Sequence, residues 1–368
     1  MNAPTQEQIV ADFVAGSGQA GRLRRKLAAN QHRNWLLALI LHSFTRFAEQ
    51  AELSDLEAGI IDAFRQHGYD DAELTRQGQL ALKLTGAVRA ELFEPGFARL
   101  SSDTPYTRAQ LAADAPRIAA ATLARPSTTM VDVESIHAGR SRLADVRLPS
   151  DQVLRQHASS LTVALEPGAR AAARSSAAAT YSIKASKFRC NHRGTDSVFD
   201  PKCEYYFIFG STAGTTSLTT RSKIFENVDT GDTLTFPSVD GNLWGLNGHA
   251  EPLPSSEIGI LVSVAEHDLG DVQEIQAGVA AAFATASTVL LLTGVAAWAG
   301  VVLTAVGGVV AWLIGLSSDD HVGDTAFAFD GLLLAKQLAS VGSSTPTERR
   351  ITDGNDDLTI TITSTRVS

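Results

Sequence analysis

Two short acidic runs stand out, 265–271 (AEHDLGD) and 316–324 (LSSDDHVGD), and a further carboxylate pair, Asp196 and Asp200, lies in RGTDSVFD. Calcium takes six to eight hard oxygen ligands at about 2.3–2.6 Å, and flexible loops rich in Asp and Glu supply them. Asp196, Asp200, Glu266, Asp268, Asp271, Asp319 and Asp320 are therefore the candidate calcium ligands, with Asp268 central. Held together without a cation, these carboxylates repel one another, so either a metal sits among them or the loops splay them apart in solvent. His267 reads as an exposed loop histidine, and Asp229 and Asp232 as turn residues.

Between the two runs, residues 275–318 form 44 consecutive positions without a charged side chain. One helix across a bilayer needs about 20 apolar residues, so this stretch suits two helices joined near LTG or WAG. With both ends in one acidic loop, a hairpin over 275–317 returns the chain to its starting side. Its membrane-inserting candidates are Val289, Leu290, Leu291, Leu292, Trp298, Val301, Val302, Leu303, Val309, Val310, Trp312, Leu313 and Ile314. Gly300, Gly307, Gly308 and Gly315 recur at helical spacing and let helices approach closely, while Trp298 and Trp312 suit a membrane interface. The first half, AGVAAAFATAST, is only weakly hydrophobic, as a segment stowed in a folded protein and released later should be. The alternative is permanent burial against the N-terminal helices or a neighbouring subunit.

The remaining elements must position these groups. At 368 residues, 44% hydrophobic and 19% charged, the chain can bury a core and holds two or three domains. Residues 181–368 carry 21 acidic against 11 basic side chains, essentially the whole net charge of -9. That balance argues against nucleic acid and for a bound cation. Residues 1–120 read as a helical domain: Leu36, Leu39, Ile40, Phe44 and Phe47 follow a helical period, and Ser54 is an N-cap with Glu57 at the third helical position. WLLALIL is too short to span a bilayer and reads as core, and Arg22, Arg24, Arg25 and Lys26 as a solvated helix face. Residues 121–180 read as a linker region with a short strand in TTMVDVESIHAG and a short helix in LPSDQVLRQHASSL. Beyond 180, short runs rich in Ile, Val, Thr, Phe and Tyr predict a C-terminal antiparallel β-sandwich over 181–274 and 318–368. The fold class is α+β, with the apolar helical hairpin inserted in the sandwich.

RGTDSVFDPKCEYYFIF resembles the first calcium loop of a C2-type calcium and lipid-binding domain, and TRSKIFENVDTGDTLTF its next two strands. GILVSVAEHD, followed eventually by DDHVGDTAFAF, resembles that family's third calcium loop, here interrupted by the 47 residues between Asp271 and Asp319. The resemblance covers about 181–272 and 318–366. It implies calcium at the sandwich tip and a third loop dipping toward the membrane, so that an apolar insertion there is aimed at lipid.

Enzymatic signatures are missing: no G-x-S-x-G, no phosphate-cradling Gly-rich loop after a strand and no His/Cys cluster at zinc spacing. HGYDD and DGNDD read as turns. Cys190 and Cys203 form either one disulfide or two reduced core thiols. The N-terminus lacks a standard secretory signal, which predicts a soluble chain that is cytoplasmic or exported by another route, membrane-associated when active. The expectation is a non-enzymatic, calcium-dependent membrane-binding and membrane-inserting protein, a pore-forming or permeabilising effector or toxin. Its partners are a phospholipid membrane and copies of itself, not nucleic acid. The alternative is a self-assembling structural protein whose hairpin is buried in an oligomer interface.

Overall fold

Local hydrogen bonds start the N-terminal helices. The backbone N–H groups of Gln8, Glu57, Glu73, Val88 and Gln110 donate to the side chains of Thr5, Ser54, Asp70, Thr85 and Thr107 respectively. Each such contact satisfies a donor that a helix start would otherwise leave orphaned. At Ser54 and Thr107 the third helical residue also reaches back, completing the capping box anticipated for Ser54 and Glu57.

The computed structural model describes residues 4–141, 146–164, 179–194, 203–213, 216–244, 251–252, 257–268, 272–293, 298–317 and 319–368. The helical part comprises α1 (Gln6–Ala15), α2 (Gly18–Ala28), α3 (Trp35–Ala48), α4 (Asp55–Gln66), α5 (Asp71–Leu82), α6 (Gly86–Leu92), α7 (Pro95–Ala98) and α8 (Arg108–Leu123). There follow β1 (Thr128–Met130), α9 (Val133–His137), α10 (Asp151–His157), β2 (Ser159–Ala164), β3 (Thr180–His192), β4 (Cys203–Ala213), β5 (Thr216–Arg221) and β6 (Phe225–Val228). Then come β7 (Thr233–Thr235), β8 (Asn242–Trp244), β9 (Glu251–Pro252), β10 (Glu257–Glu266), α11 (Val272–Thr293), α12 (Trp298–Leu316), β11 (Asp320–Asp330), α13 (Gly331–Gln337), β12 (Ser344–Thr352) and β13 (Asp357–Arg366). The protein is thus α+β, helical at its N-terminus and built on sheets toward its C-terminus. It divides into two compact units, the first Met1–Ala124, Asp268–Gly294 and Ala305–His321, the second Arg125–His267, Val295–Thr304 and Val322–Ser368.

In the first unit, WLLALIL opens α3 and is buried throughout, as expected of core. Glu57, almost wholly buried, ties this unit together. His42 Nε2 lies 3.0 Å and Arg46 Nε 3.2 Å from its carboxylate, and the N–H groups of Ser54 and Tyr106 donate to it at 2.8 and 2.7 Å. Burial alone would push Glu57 up, but the hydrogen bonds from His42, Ser54 and Tyr106 outweigh it and hold the carboxyl at about 2. Helix α5 presses against α3 at Gly78, where a Cβ would lie 2.2 Å from the Phe44 carbonyl oxygen.

The second unit holds two sheets, β1-β2-β11-β10-β4-β5 with β6 on β4, and β12-β13-β3-β7 with β8 and β9 on β3. Most pairings are antiparallel, β10 running against β4 from Ile258↔Ala213 to Glu266↔Tyr205. The first sheet is mixed, because β2 lies parallel to both β1 and β11. Strand β2 falls within the 121–180 stretch that reads as linker in sequence, yet it is buried at every position. A strand covered on both faces shows no alternation for a sequence to display, and α9 and α10 supply part of the crossover that parallel pairing to β1 requires. Strand β12 also escapes the sequence pattern, since Pro346 and the charges 348–350 are tolerated only because it is an edge strand. Side chains of both sheets share one core, with the rings of Phe188 of β3 and Phe207 of β4 tilted against each other, their centroids 4.7 Å apart. Cys190 and Cys203 are free, buried thiols in that core.

Candidate functional site

The two acidic runs, one before α11 and one after α12, meet in the first unit. The Asp268 N–H donates to Asp319 Oδ1 at 2.9 Å across 51 positions of sequence. Asp319 is buried, whereas Asp268 is exposed and accepts from Gln19 Nε2 at 3.2 Å. Asp320 pairs with Arg22 at 2.5 Å, and Lys26 donates to the His321 carbonyl. Burial, with Lys26 and Arg33 near by, pushes the His321 imidazole well below its usual range, so it is neutral. Gln19, Lys26, Asp319, Asp320 and His321 line a cavity of about 230 Å³ together with Ser17 and Leu23. In the first turn of α11, Glu274 accepts from Gln6 at 3.4 Å and lies 3.9 Å from Arg76, a favourable place for a carboxylate beside the helix dipole.

Gln19, Arg22 and Lys26 are the members of this site that sequence reading missed. Arg22, Arg24 and Lys26, expected on a solvated face, are half-buried and paired, Arg24 with Glu91; Arg25 alone of that run is exposed. The i, i+4 spacing of Arg22 and Lys26 on α2 was the available signal.

Of the seven candidate calcium ligands, Asp196, Asp200 and Asp271 lie outside the described residues. Asp268, Asp319 and Asp320 come together, and among the described residues their oxygens accept from N–H donors and from the Arg22 guanidinium. With Asp320 paired to Arg22, these three carboxylates by themselves do not make up the six to eight oxygens that calcium takes. Glu266, at the end of β10, belongs to the second unit.

There Glu266 joins Cys203 and Asp356, one donor atom from each lying within 4.8 Å of the others. The DGNDD turn forms as anticipated, Asp353 Oδ1 accepting from the N–H groups of Asn355 and Asp356, but it turns the Asp356 carboxylate inward. Asp356 Oδ1 accepts from the Gly194 N–H at 2.8 Å and from the Tyr205 hydroxyl. Gly194 permits this approach, since a Cβ there would sit 3.0 Å from Asp356 Oδ2. Burial, then the Glu266 carboxylate, pushes the Cys203 thiol up to about 12, and burial with Asp356 raises Tyr205. Thiol and phenol are thus protonated, the Tyr205 hydroxyl donating to Asp356 and the Cys203 thiol to the Gly194 carbonyl at 3.8 Å, beside Glu266. The cluster is a hydrogen-bonded lock joining the starts and ends of β3, β4, β10 and β13.

The expected apolar stretch forms two helices, α11 and α12. The 18 residues of Ala299–Leu316, with mean hydropathy 2.2, are long and apolar enough to cross a membrane and are 89% buried. Val289, Val301, Val302, Leu303, Val309, Val310, Trp312 and Ile314 are buried and Leu313 half-buried, while the side chains of Leu290, Leu291, Leu292 and Trp298 lie outside the described residues. In the first unit α11 packs on α4 and α8. Trp312 meets Phe13 edge to face at 5.2 Å and so is core, not interfacial, in this structure. Cβ atoms on Gly308 and Gly315 would lie 3.0 Å from Asn34 Oδ1 and 2.2 Å from Leu23 Cδ2; in the second unit, one on Gly300 would lie 3.0 Å from Ala328 Cβ. Gly307 is buried. Thr285 and Thr304 donate to the carbonyls of Ala281 and Gly300, four residues back, at 2.9 and 2.8 Å, so both hydroxyls are satisfied inside their own helices.

Compared with models of known families and with curated proteins, the chain matches none.

Proposed function

We propose that the chain shelters a membrane-inserting hairpin, α11 and α12, and releases it into a phospholipid bilayer as a pore-forming or permeabilising effector. The observation that carries this reading is α12 itself: an uncharged, bilayer-length apolar helix that is 89% buried. Moving such a helix from a protein core to lipid exchanges one apolar surrounding for another, and hydroxyls bonded within the helix need no outside partner there. What resists its departure is the polar clasp at the hairpin base, Arg22 with Asp320, Lys26 with the His321 carbonyl, Gln19 with Asp268 and Asp268 with Asp319. The facing sheets of the second unit, with Phe188 against Phe207, support reading it as a β-sandwich of C2 type, a module suited to a membrane surface.

The test is dye release from, and flotation with, vesicles containing phosphatidylglycerol, with calcium and with a chelator. The protein should float and release dye. A protein that does neither in both media is not a membrane-inserting one. Release that requires calcium and is lost in the Asp268→Asn/Asp319→Asn double variant would restore calcium to the mechanism; release indifferent to chelator removes it. The competing reading, a hairpin held permanently as core or in an oligomer interface, draws on the same burial and predicts a stable particle that never floats.

A further inference from the structure

The second unit contains a cavity of about 590 Å³. Its size falls in the range of about 300–1,000 Å³ typical of small-molecule sites. The walls come from both sheets and α13 and are mainly apolar: Ile183, Ile260, Phe327, Leu334 and Ile362 all line it and are themselves buried. Strand β12 alternates, with Pro346 and Glu348 exposed and Thr345, Thr347 and Arg349 turned inward. An edge strand has thereby placed a guanidinium against the apolar wall.

Arg349 lies over the Phe327 ring, 4.9 Å from its centroid, and donates through Nη1 to the Glu348 carbonyl at 2.8 Å. Its Nε is sealed from solvent and makes no hydrogen bond, and among the described residues no carboxylate pairs with it. By contrast, its neighbour Arg350 is paired with both Asp151 and Asp357. A desolvated cation without an anion is costly, and burial pushes this guanidinium down to about 10. A planar guanidinium with free donors fits a carboxylate bidentately. The cavity therefore offers one cationic anchor beside a largely apolar wall, on a strand whose Thr345, Thr347 and exposed Glu348 also border it, which is the complement of an amphiphile with one anionic head.

We propose that this cavity binds a single-chain fatty carboxylate, the hydrocarbon tail against Ile183, Ile260, Leu334 and Ile362 and the carboxylate on Arg349. This inference does not rest on the membrane-insertion reading, and either can fail without the other. Full-length protein is titrated with dansyl-undecanoic acid, which is then displaced by laurate or by dodecanol. Probe fluorescence should rise on binding, and laurate should displace it at least tenfold more tightly than dodecanol. Arg349→Met should lower laurate affinity at least tenfold and leave dodecanol within about twofold, while Arg349→Lys retains part of the preference. Thr347→Trp, on the edge strand, should fill the cavity and abolish uptake of both while the thermal melt stays cooperative. Failure of the wild-type protein to take up the probe, equal displacement by laurate and dodecanol, or unchanged laurate affinity in Arg349→Met would each overturn the proposal. The first two need no variant to fold.

Discussion

If α12 must leave its seat, a covalent staple at its C-terminal end should stop it. A Cβ built on Gly315 lies 3.2 Å from Leu23 Cγ, one bond from the Leu23 Cβ, so the pair Leu23→Cys/Gly315→Cys places two Cβ atoms near disulfide reach. The shorter side chain at 23 also removes the Cδ2 atom that a Cβ at 315 would strike at 2.2 Å. The bridge closes a loop of about 290 residues, for which the chain-entropy relation gives about 5–6 kcal/mol against the fully unfolded chain, and so at most that against a hairpin released from an otherwise folded protein. The ceiling corresponds to roughly four orders of magnitude in the population of a released hairpin. Cys190 and Cys203 are buried and should stay out of the exchange. The assay is dye release from vesicles of phosphatidylcholine and phosphatidylglycerol, comparing oxidised protein with the same sample after dithiothreitol. Oxidised protein should be silent and reduced protein active. Equal leakage before and after reduction would show that α12 stays in place while membranes are breached, and the reasoning would be wrong.

Acid should weaken the first unit through Glu57. Its folded carboxyl sits at about 2 against an ordinary 4.5, so its stabilisation is complete above pH 4.5 and is lost as pH falls toward 2. The amount is about 3 kcal/mol. Urea unfolding curves of the wild type and Glu57→Gln should converge across that window, and a gap that stays constant would refute the assignment. Burial, with Asp356 beside Cys190 and Glu266 beside Cys203, pushes both thiols up to about 12. Ellman's reagent at pH 8 should therefore label neither in the native protein and both in urea; prompt native labelling would contradict this. Gly78→Ala gains about 1 kcal/mol of helix propensity but drives a methyl toward the Phe44 carbonyl at 2.2 Å. Overpacking of that kind costs about 1–3 kcal/mol, so the urea midpoint should fall, and a rise would mean that α5 can shift away from α3 without penalty.

Elements governed by neighbours a few residues away were legible before any coordinates. The Ser54–Glu57 capping box, the buried α3, the short helix now seen as α10 and the strands β3, β4, β10 and β13, rich in Ile, Val, Thr, Phe and Tyr, all follow from local composition, periodicity and cap chemistry. Strand β2 was not legible because both its faces are covered, and β12 was not because an edge tolerates proline and charge.

For the candidate sites, the sequence by itself determined the ingredients: carboxylates flanking an uncharged stretch long enough for two helices, and small residues spaced to let helices approach. Only the tertiary structure decided what each group meets. It brought Asp268 to Asp319, yet gave Asp320 to Arg22 and Asp268 to Gln19, 298 and 249 positions away. It turned Asp356 of an ordinary turn onto Tyr205, and laid Arg349 over Phe327 at the wall of a cavity. Caps and periods are set by hydrogen bonds within one or two turns of chain, whereas the partner of a charge is set by which surfaces are buried together, a property no short window of sequence contains.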